Sequence, residues 1–264
     1  MLTFLTLLAA VLYLSAAAVS ARPLAHRRPL PRAIGLTLAA AAVFAHAWVI
    51  AGMHRGGVDL HFFAALSLVS ACVAGLCLFV NLLRPVATLG AIVFPLATMF
   101  LLIDVFAAPP TQPLPIEWQI KLHVLFALLG FSVLCVAALL AILLALQERA
   151  LRMRRFDGIV RALPPLTLTE ALMFQLIAAG FALLTLALLS GILFVDNLFA
   201  QHLIHKTALS IAAWLVFGVL LFGRWRWGWR GRRAVRLTLA GTVVLLLAFF
   251  GSKFVLELVL KRVA

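Results

Sequence analysis

Apolar residues run along this chain in blocks, and short turns between the blocks concentrate most of its charge. A helix needs roughly 20 apolar residues to cross the hydrocarbon core of a bilayer. Eight blocks reach that length. They predict helices over 2–20, about Ala33–Gly52, Phe62–Val80, Val86–Val105, Trp118–Leu146 and Glu170–Phe194, and two more within His205–Leu260. The fifth block is longer than a span requires, so its helix tilts or extends past the bilayer. Between the fourth and fifth blocks lie Pro109, Pro110, Pro113 and Pro115, which prevent continuous helix there. The expected fold class is an all-α polytopic membrane protein, a single bundle of eight transmembrane helices forming one domain over 1–264.

Composition narrows the class further. The chain is 66% hydrophobic and 11% charged, with mean hydropathy +1.18, far more apolar than a soluble domain of this size needs. The net charge of +14 raises the question of nucleic acid. The positions of the arginines answer it, because they cluster in short loops between apolar blocks, as the positive-inside rule expects. Placing the turns at Arg22–Arg32, Arg84, Arg149–Arg161 and Arg224–Arg236 in the cytoplasm puts 16 of the 22 basic residues inside. Both termini then lie outside. The first block resembles a signal peptide, but its arginines follow the apolar run instead of preceding it. It therefore reads as a first span with its N-terminus out.

Candidate chemistry lies with the histidines. Of seven, only His26 falls in an inner loop; His46, His54, His61, His123, His202 and His205 fall in the outer third of a helix or in an outer loop. Polar groups at membrane depth are costly and commonly line a cavity or bind something. Imidazole is a strong axial ligand for haem iron. An interfacial histidine bonded to water or a carbonyl accounts for His54, His61 and His202. His46, His123 and His205 are the deepest, each on a different span. The expectation is one haem bracketed by His123 and His205, with His46 as the alternative ligand. Lys121 and Lys206 would meet its propionates by charge-assisted hydrogen bonds.

Other features exclude functions. Cys72, Cys77 and Cys135 lie inside apolar blocks and read as small packing residues; C-x-x-C-H is absent, so haem is not attached covalently in the c-type manner. No P-loop, nucleophile elbow or H-E-x-x-H appears. The run Arg224-Trp225-Arg226-Trp227-Gly228-Trp229-Arg230 reads as an interfacial anchor, its indoles at headgroup level and its guanidinium groups toward anionic lipid.

The block His205-Lys206-Thr207, Ser210, Trp214-Leu215-Val216-Phe217, Gly228-Trp229-Arg230-Gly231-Arg232-Arg233-Ala234 and Phe249-Phe250-Gly251-Ser252 resembles the C-terminal signature of the cytochrome c assembly membrane protein family. The similarity takes in His46, His123 and the eight-span layout, and is nearest to the HemX-like, YpjD-type bacterial inner-membrane branch. Larger haem-handling members carry W-G-x-x-W-x-W-D-P-K-E before the equivalent of the seventh helix. Here the stretch is DNLFAQHLIHK, Asp196 to Lys206, which keeps only the lysine. The resemblance thus implies a non-catalytic, haem-binding accessory of cytochrome c biogenesis with other biogenesis membrane proteins as partners. The branch also implies an alternative, a membrane regulator of tetrapyrrole synthesis without haem transfer. A small-solute or ion transporter is disfavoured by the absence of an inverted repeat or a broken span with a central charge.

Overall fold

The structure is a computed structural model of the full chain. It describes residues 1–24, 28, 30–53, 61–84, 86–108, 117–154, 163–194, 204–251 and 253–254. Among these residues every regular element is helical. In chain order they are α1 (Leu2–Ala21), α2 (Arg32–Met53), α3 (Phe62–Leu83), a 3₁₀ turn (Ala87–Leu89) leading into α4 (Gly90–Phe106), α5 (Trp118–Arg152), α6 (Leu166–Phe194), α7 (Ile204–Trp227) and α8 (Gly231–Leu246). A π-helical turn, Leu247–Gly251, continues α8. Eight of these helical segments are long and apolar enough to cross a membrane. The chain is a multi-pass membrane protein.

The two boundaries that differ most from expectation do so for local reasons. Helix α5 continues six residues past Leu146, because Gln147 to Arg152 contains no glycine or proline, and Arg149 and Arg152 in its last turn complement the C-terminal dipole. Helix α6 begins at Leu166, four residues before Glu170. The preceding Pro164 and Pro165 cannot continue a helix inward, but proline is well tolerated at a helix start.

Packing groups the residues into two compact units. Unit 1 comprises Met1–Pro115 with Arg149–Pro165, and unit 2 comprises Ile116–Glu148 with Leu166–Ala264.

In unit 1, α1 packs on α2 and α4, and α3 packs on α2 and α4, which closes a ring of four helices. Its interior is rich in alanine: Ala9, Ala16, Ala42, Ala64, Ala74 and Ala97 are all buried. Lipid tails are as apolar as side chains, so burial from water does not drive association inside a bilayer. Close van der Waals approach does, and small residues permit it. Larger apolar side chains such as Phe4, Val11 and Phe44 are exposed on the helix surfaces, as lipid-facing residues are.

In unit 2, α7 packs on both α6 and α8. Helices α5 and α6 meet where Gly130 lies against the backbone of Leu183 and Leu184, and where Gly180 receives Leu134. The π-turn of α8 brings Phe249 and Phe250 onto Phe131 of α5, with ring centroids 5.0 and 5.6 Å apart.

The Gly130 contact is expected to be intolerant of volume. A Cβ there would sit 3.2 Å from both the Leu183 Cβ and the Leu184 amide nitrogen, and the latter is backbone that cannot rotate away. Gly130→Val should destabilise the chain by about 1–3 kcal/mol, the usual cost of overpacking. The measurement is the apparent melting midpoint of the detergent-purified protein, with an exposed lipid-facing change such as Leu193→Val as control.

Candidate functional site

A histidine has two in-plane nitrogens, and what each one touches decides what the ring can do. His46 lies on α2 and is fully buried in unit 1. Its Nδ1 is 3.2 Å from the Tyr13 hydroxyl of α1, and its Nε2 is 3.1 Å from the Ser67 hydroxyl of α3. Tyr13 also stacks on Phe94 of α4 at 5.8 Å. One imidazole therefore ties three helices together, and a fourth joins through the tyrosine ring. Both nitrogens are occupied by protein, so coordination of iron by His46 requires release of Tyr13 or Ser67.

His123, in unit 2, is placed differently. It is half-buried one turn and a half into α5, and its Nδ1 is 3.1 Å from the Ser190 hydroxyl of α6. Ser190 donates its proton to the Ala187 carbonyl at 2.9 Å, the back-bond a helical serine commonly makes. Its oxygen is then left to accept from the ring. The Ala187 carbonyl is a second acceptor beside the imidazole. The Ser190 oxygen, its own proton already on Ala187, favours the ring proton at Nδ1 and the lone pair at Nε2. A metal-bound histidine is held in the same way, its outer N–H on an oxygen and its other nitrogen directed at the metal.

One turn nearer the helix ends, Trp118 of α5 lies against Phe194 of α6 with centroids 6.0 Å apart. By helix rise this pair is about 6–8 Å beyond the His123–Ser190 pair. Trp118 is largely exposed. Lys121 is exposed on α5, but a two-residue offset turns it about 200° from His123 around the helix. The two side chains leave α5 on different faces. His205 and Lys206 lie in the first turn of α7; His205 is exposed and Lys206 half-buried. Among the described residues no group of three or more His, Cys, Asp or Glu side chains gathers as a metal cluster. Unit 1 holds His46, and unit 2 holds Lys121, His123, His205 and Lys206. His26, His54, His202 and Arg55 lie outside the described residues.

Two polar contacts were not visible along the sequence. His61 stands at the N-cap of α3, and its Nε2 is 3.8 Å from Oδ1 of Asp104, a buried carboxylate near the end of α4. Forty-odd residues separate them, and no local pattern marks the pair. The second contact is larger. Glu170, buried in the second turn of α6, accepts from Arg230 at 3.1 Å through Nε and 2.6 Å through Nη2. Nη1 of Arg224 lies 3.5 Å from its other oxygen, and the Gly231 amide also donates to it. Arg224 in turn lies over the Phe174 ring at 4.6 Å and donates to the Trp229 carbonyl. This clamp ties α6 to the α7–α8 turn. The only sequence signal for it was a lone carboxylate near the start of a span, level with an arginine-rich turn.

The backbone of that turn explains its glycines. Gly228 has φ +63° and ends α7, with its amide returning to the Arg224 carbonyl and the Trp229 amide to that of Gly223. The Trp229 ring covers Gly223 so closely that no side chain fits there. Gly231, at φ +57°, starts α8 with Glu148 of α5 against its Cα.

Comparison with known proteins identifies a family. The model of the family described as Cytochrome C assembly protein matches residues 30–260. The inner membrane protein YpjD of Escherichia coli (strain K12) is 41% identical over 137 residues, which cover 52% of this chain and 52% of the relative. The cytochrome c biogenesis protein CcsA of Guillardia theta is 27% identical over 191 residues, 63% of each. That of Chlamydomonas reinhardtii is 24% identical over 155 residues, 57% of this chain and 42% of the relative. The chain spans about half the length of the first curated relatives it matches. No solved structure matches.

The Glu170 clamp makes an asymmetric demand. Arg230→Ala leaves a buried carboxylate with the longer Arg224 contact and the Gly231 amide, whereas Glu170→Gln leaves two guanidinium groups that reach water. Arg230→Ala should therefore reduce protein level and melting midpoint more than Glu170→Gln. Immunoblotting of membranes and detergent melting curves check the order, and the reverse order would place the energetics elsewhere.

Proposed function

Because the chain belongs to the Cytochrome C assembly protein family, we propose that it is a haem-binding, non-catalytic accessory of cytochrome c biogenesis in the bacterial inner membrane. It would act as one transmembrane domain over 1–264, handling haem at the outer face together with other biogenesis membrane proteins. The family match and the two CcsA relatives support the process. The E. coli relative, an inner membrane protein by name, supports the location.

The observation that carries the haem reading is His123. Its Nδ1 proton is held by Ser190, which leaves Nε2 as the ligating atom. The pair of exposed Trp118 and half-buried Phe194, one turn away, offers an aromatic surface of the kind a flat macrocycle packs on. His205 is the second axial candidate, exposed in the first turn of α7. His46 is the alternative, at the cost of a hydrogen bond to Tyr13 or Ser67. Lys121 and Lys206 are the propionate partners. Lys121 leaves α5 on another face than His123, so it would meet propionates reaching toward water, away from the ring plane. Bound haem would supply a redox-active iron; the chain's own residues orient it and set its exposure to water.

Absorption spectra of the purified full chain from haem-replete cells, oxidised and reduced, test the reading. A low-spin haem spectrum is expected. His123→Ala and His205→Ala should each abolish it or convert it to high spin. Ser190→Ala, which removes only the outer partner, should weaken haem retention by about 10–100-fold. His61→Ala should leave the spectrum unchanged. A parent without haem, or variants of both ligands with the parent spectrum, would overturn haem binding and favour the regulatory reading.

The orientation proposed is N-terminus and C-terminus outside, on the strength of 16 of 22 basic residues falling in the turns assigned to the cytoplasm. A reporter fused after Ala264 is expected to be active only if it works in the periplasm. Cytoplasmic activity at that position would move the histidine-bearing helix ends to the inner face.

A further inference from the structure

The α7–α8 turn carries six arginines between Arg224 and Arg236. Two described carboxylates of unit 2, Glu148 and Glu170, approach it. The structure divides these arginines into two sets. Arg224 and Arg230 are engaged by Glu170, and Arg233 lies over the Trp229 ring at 5.0 Å. All but Arg224 are exposed, and of these Arg226, Arg232 and Arg236 have no carboxylate or ring partner among the described residues. Arg232 and Arg236 are four apart on α8 and so lie on one face.

The aromatic residues are divided in the same way. Trp229 is packed inward on Gly223. Trp227 stacks on Trp229 at 5.6 Å, and Phe222 lies edge-on to Trp227 at 5.4 Å. Trp225 and Trp227 remain 80% and 59% exposed. The result is an ordered turn that carries exposed indoles and guanidinium groups with no carboxylate partner among the described residues. Its helices both run into the bilayer, so the patch lies where acyl chains give way to headgroups.

We propose that this turn is a binding site selective for anionic phospholipid headgroups, with Arg226, Arg232 and Arg236 as the phosphate ligands and Trp225 and Trp227 seated at the glycerol level. This goes beyond the embedding in a bilayer that eight apolar helices already imply. Guanidinium groups bind phosphate oxygens through paired N–H donors. An anionic leaflet concentrates such phosphates at the depth of the turn. The Glu170 clamp gives the site its form. By engaging Arg224 and Arg230 it fixes the end of α7 against the start of α8, and the three outward cations are carried on that fixed frame.

Native mass spectrometry of the full chain in neutral detergent tests the site, with added phosphatidylglycerol, phosphatidylcholine or inorganic phosphate. Phosphatidylglycerol should be retained and should raise the melting midpoint, while phosphatidylcholine and inorganic phosphate do neither. The combined Arg226→Gln, Arg232→Gln and Arg236→Gln variant should lose phosphatidylglycerol affinity on the order of 100-fold, since each basic residue at an anionic surface contributes roughly fivefold. If that variant accumulates poorly, Arg232→Gln alone should show the partial loss. Equal retention of phosphatidylcholine by the parent overturns the proposal. So does undiminished phosphatidylglycerol binding by the variants. Displacement of the lipid by inorganic phosphate at equal concentration makes the patch a free-anion site, and overturns it too.

Discussion

A polar side chain inside a bilayer has no water to turn to, so it finds its partner within the protein, on another helix or on its own backbone. That constraint shapes the interior of both units. His46 reaches Tyr13 and Ser67, His123 reaches Ser190, Trp214 donates to Thr185 at 2.8 Å, and Glu170 takes Arg230. Each of these contacts joins residues from different helices or from a helix and a turn. Threonines and serines with no such partner return their protons to their own helix, as Thr98, Thr238 and Thr242 do. The polar contacts thus select which helices meet and in what register, a specificity that apolar packing in lipid does not supply by itself.

Packing adds the closeness. In unit 1, alanines let four helices approach until the Tyr13 hydroxyl, the His46 ring and the Ser67 hydroxyl share one line of hydrogen bonds. In unit 2, glycine serves where alanine would be too large. Gly130 and Gly180 let α5 and α6 close against each other, and Gly241 accommodates the Phe217 ring between α7 and α8. The α5–α6 closeness has a chemical consequence, because it is what brings Ser190 within 3.1 Å of His123.

The spans were legible in the sequence and the pairings were not. Apolar block length marked eight helices, because the thickness of the hydrocarbon core imposes it on every span. Errors fell at ends such as Arg152 and Leu166, where charge or proline and not hydropathy decides. Asymmetry among the histidines singled out His46, His123 and His205; the first two are engaged with another helix, whereas His205, expected to be deep, is exposed in the first turn of α7. Ser190, Ser67 and Tyr13 carried no signal, because a lone hydroxyl in an apolar block reads as a packing residue until its neighbour is known. Lys121 shows the converse limit. Adjacency to His123 along the chain suggested a common site, whereas the helical turn places the two on different faces. The Arg/Trp run was read as one uniform anchor. Its residues are in fact divided, with Arg224 and Arg230 engaged by Glu170, Trp229 packed on Gly223, and Trp225 and Arg226 left outward.

His46 and His123 show how one residue type takes two tasks in the same chain. A fully buried imidazole with a protein partner on each nitrogen has its hydrogen-bonding capacity used up, and it serves as a rivet between helices. An imidazole with its Nδ1 proton held by a serine, half-buried near the helix ends, keeps a lone pair in reserve. The first arrangement gives up coordination for packing, and the second gives up some burial for a free ligand atom. The stretch from Asp196 to Lys206 lacks the tryptophans that the larger family members place there. In the proposed site, aromatic support beside His123 comes from residues of the spans. Trp118 and Phe194, at the ends of the two helices that hold His123 and Ser190, are placed to provide it.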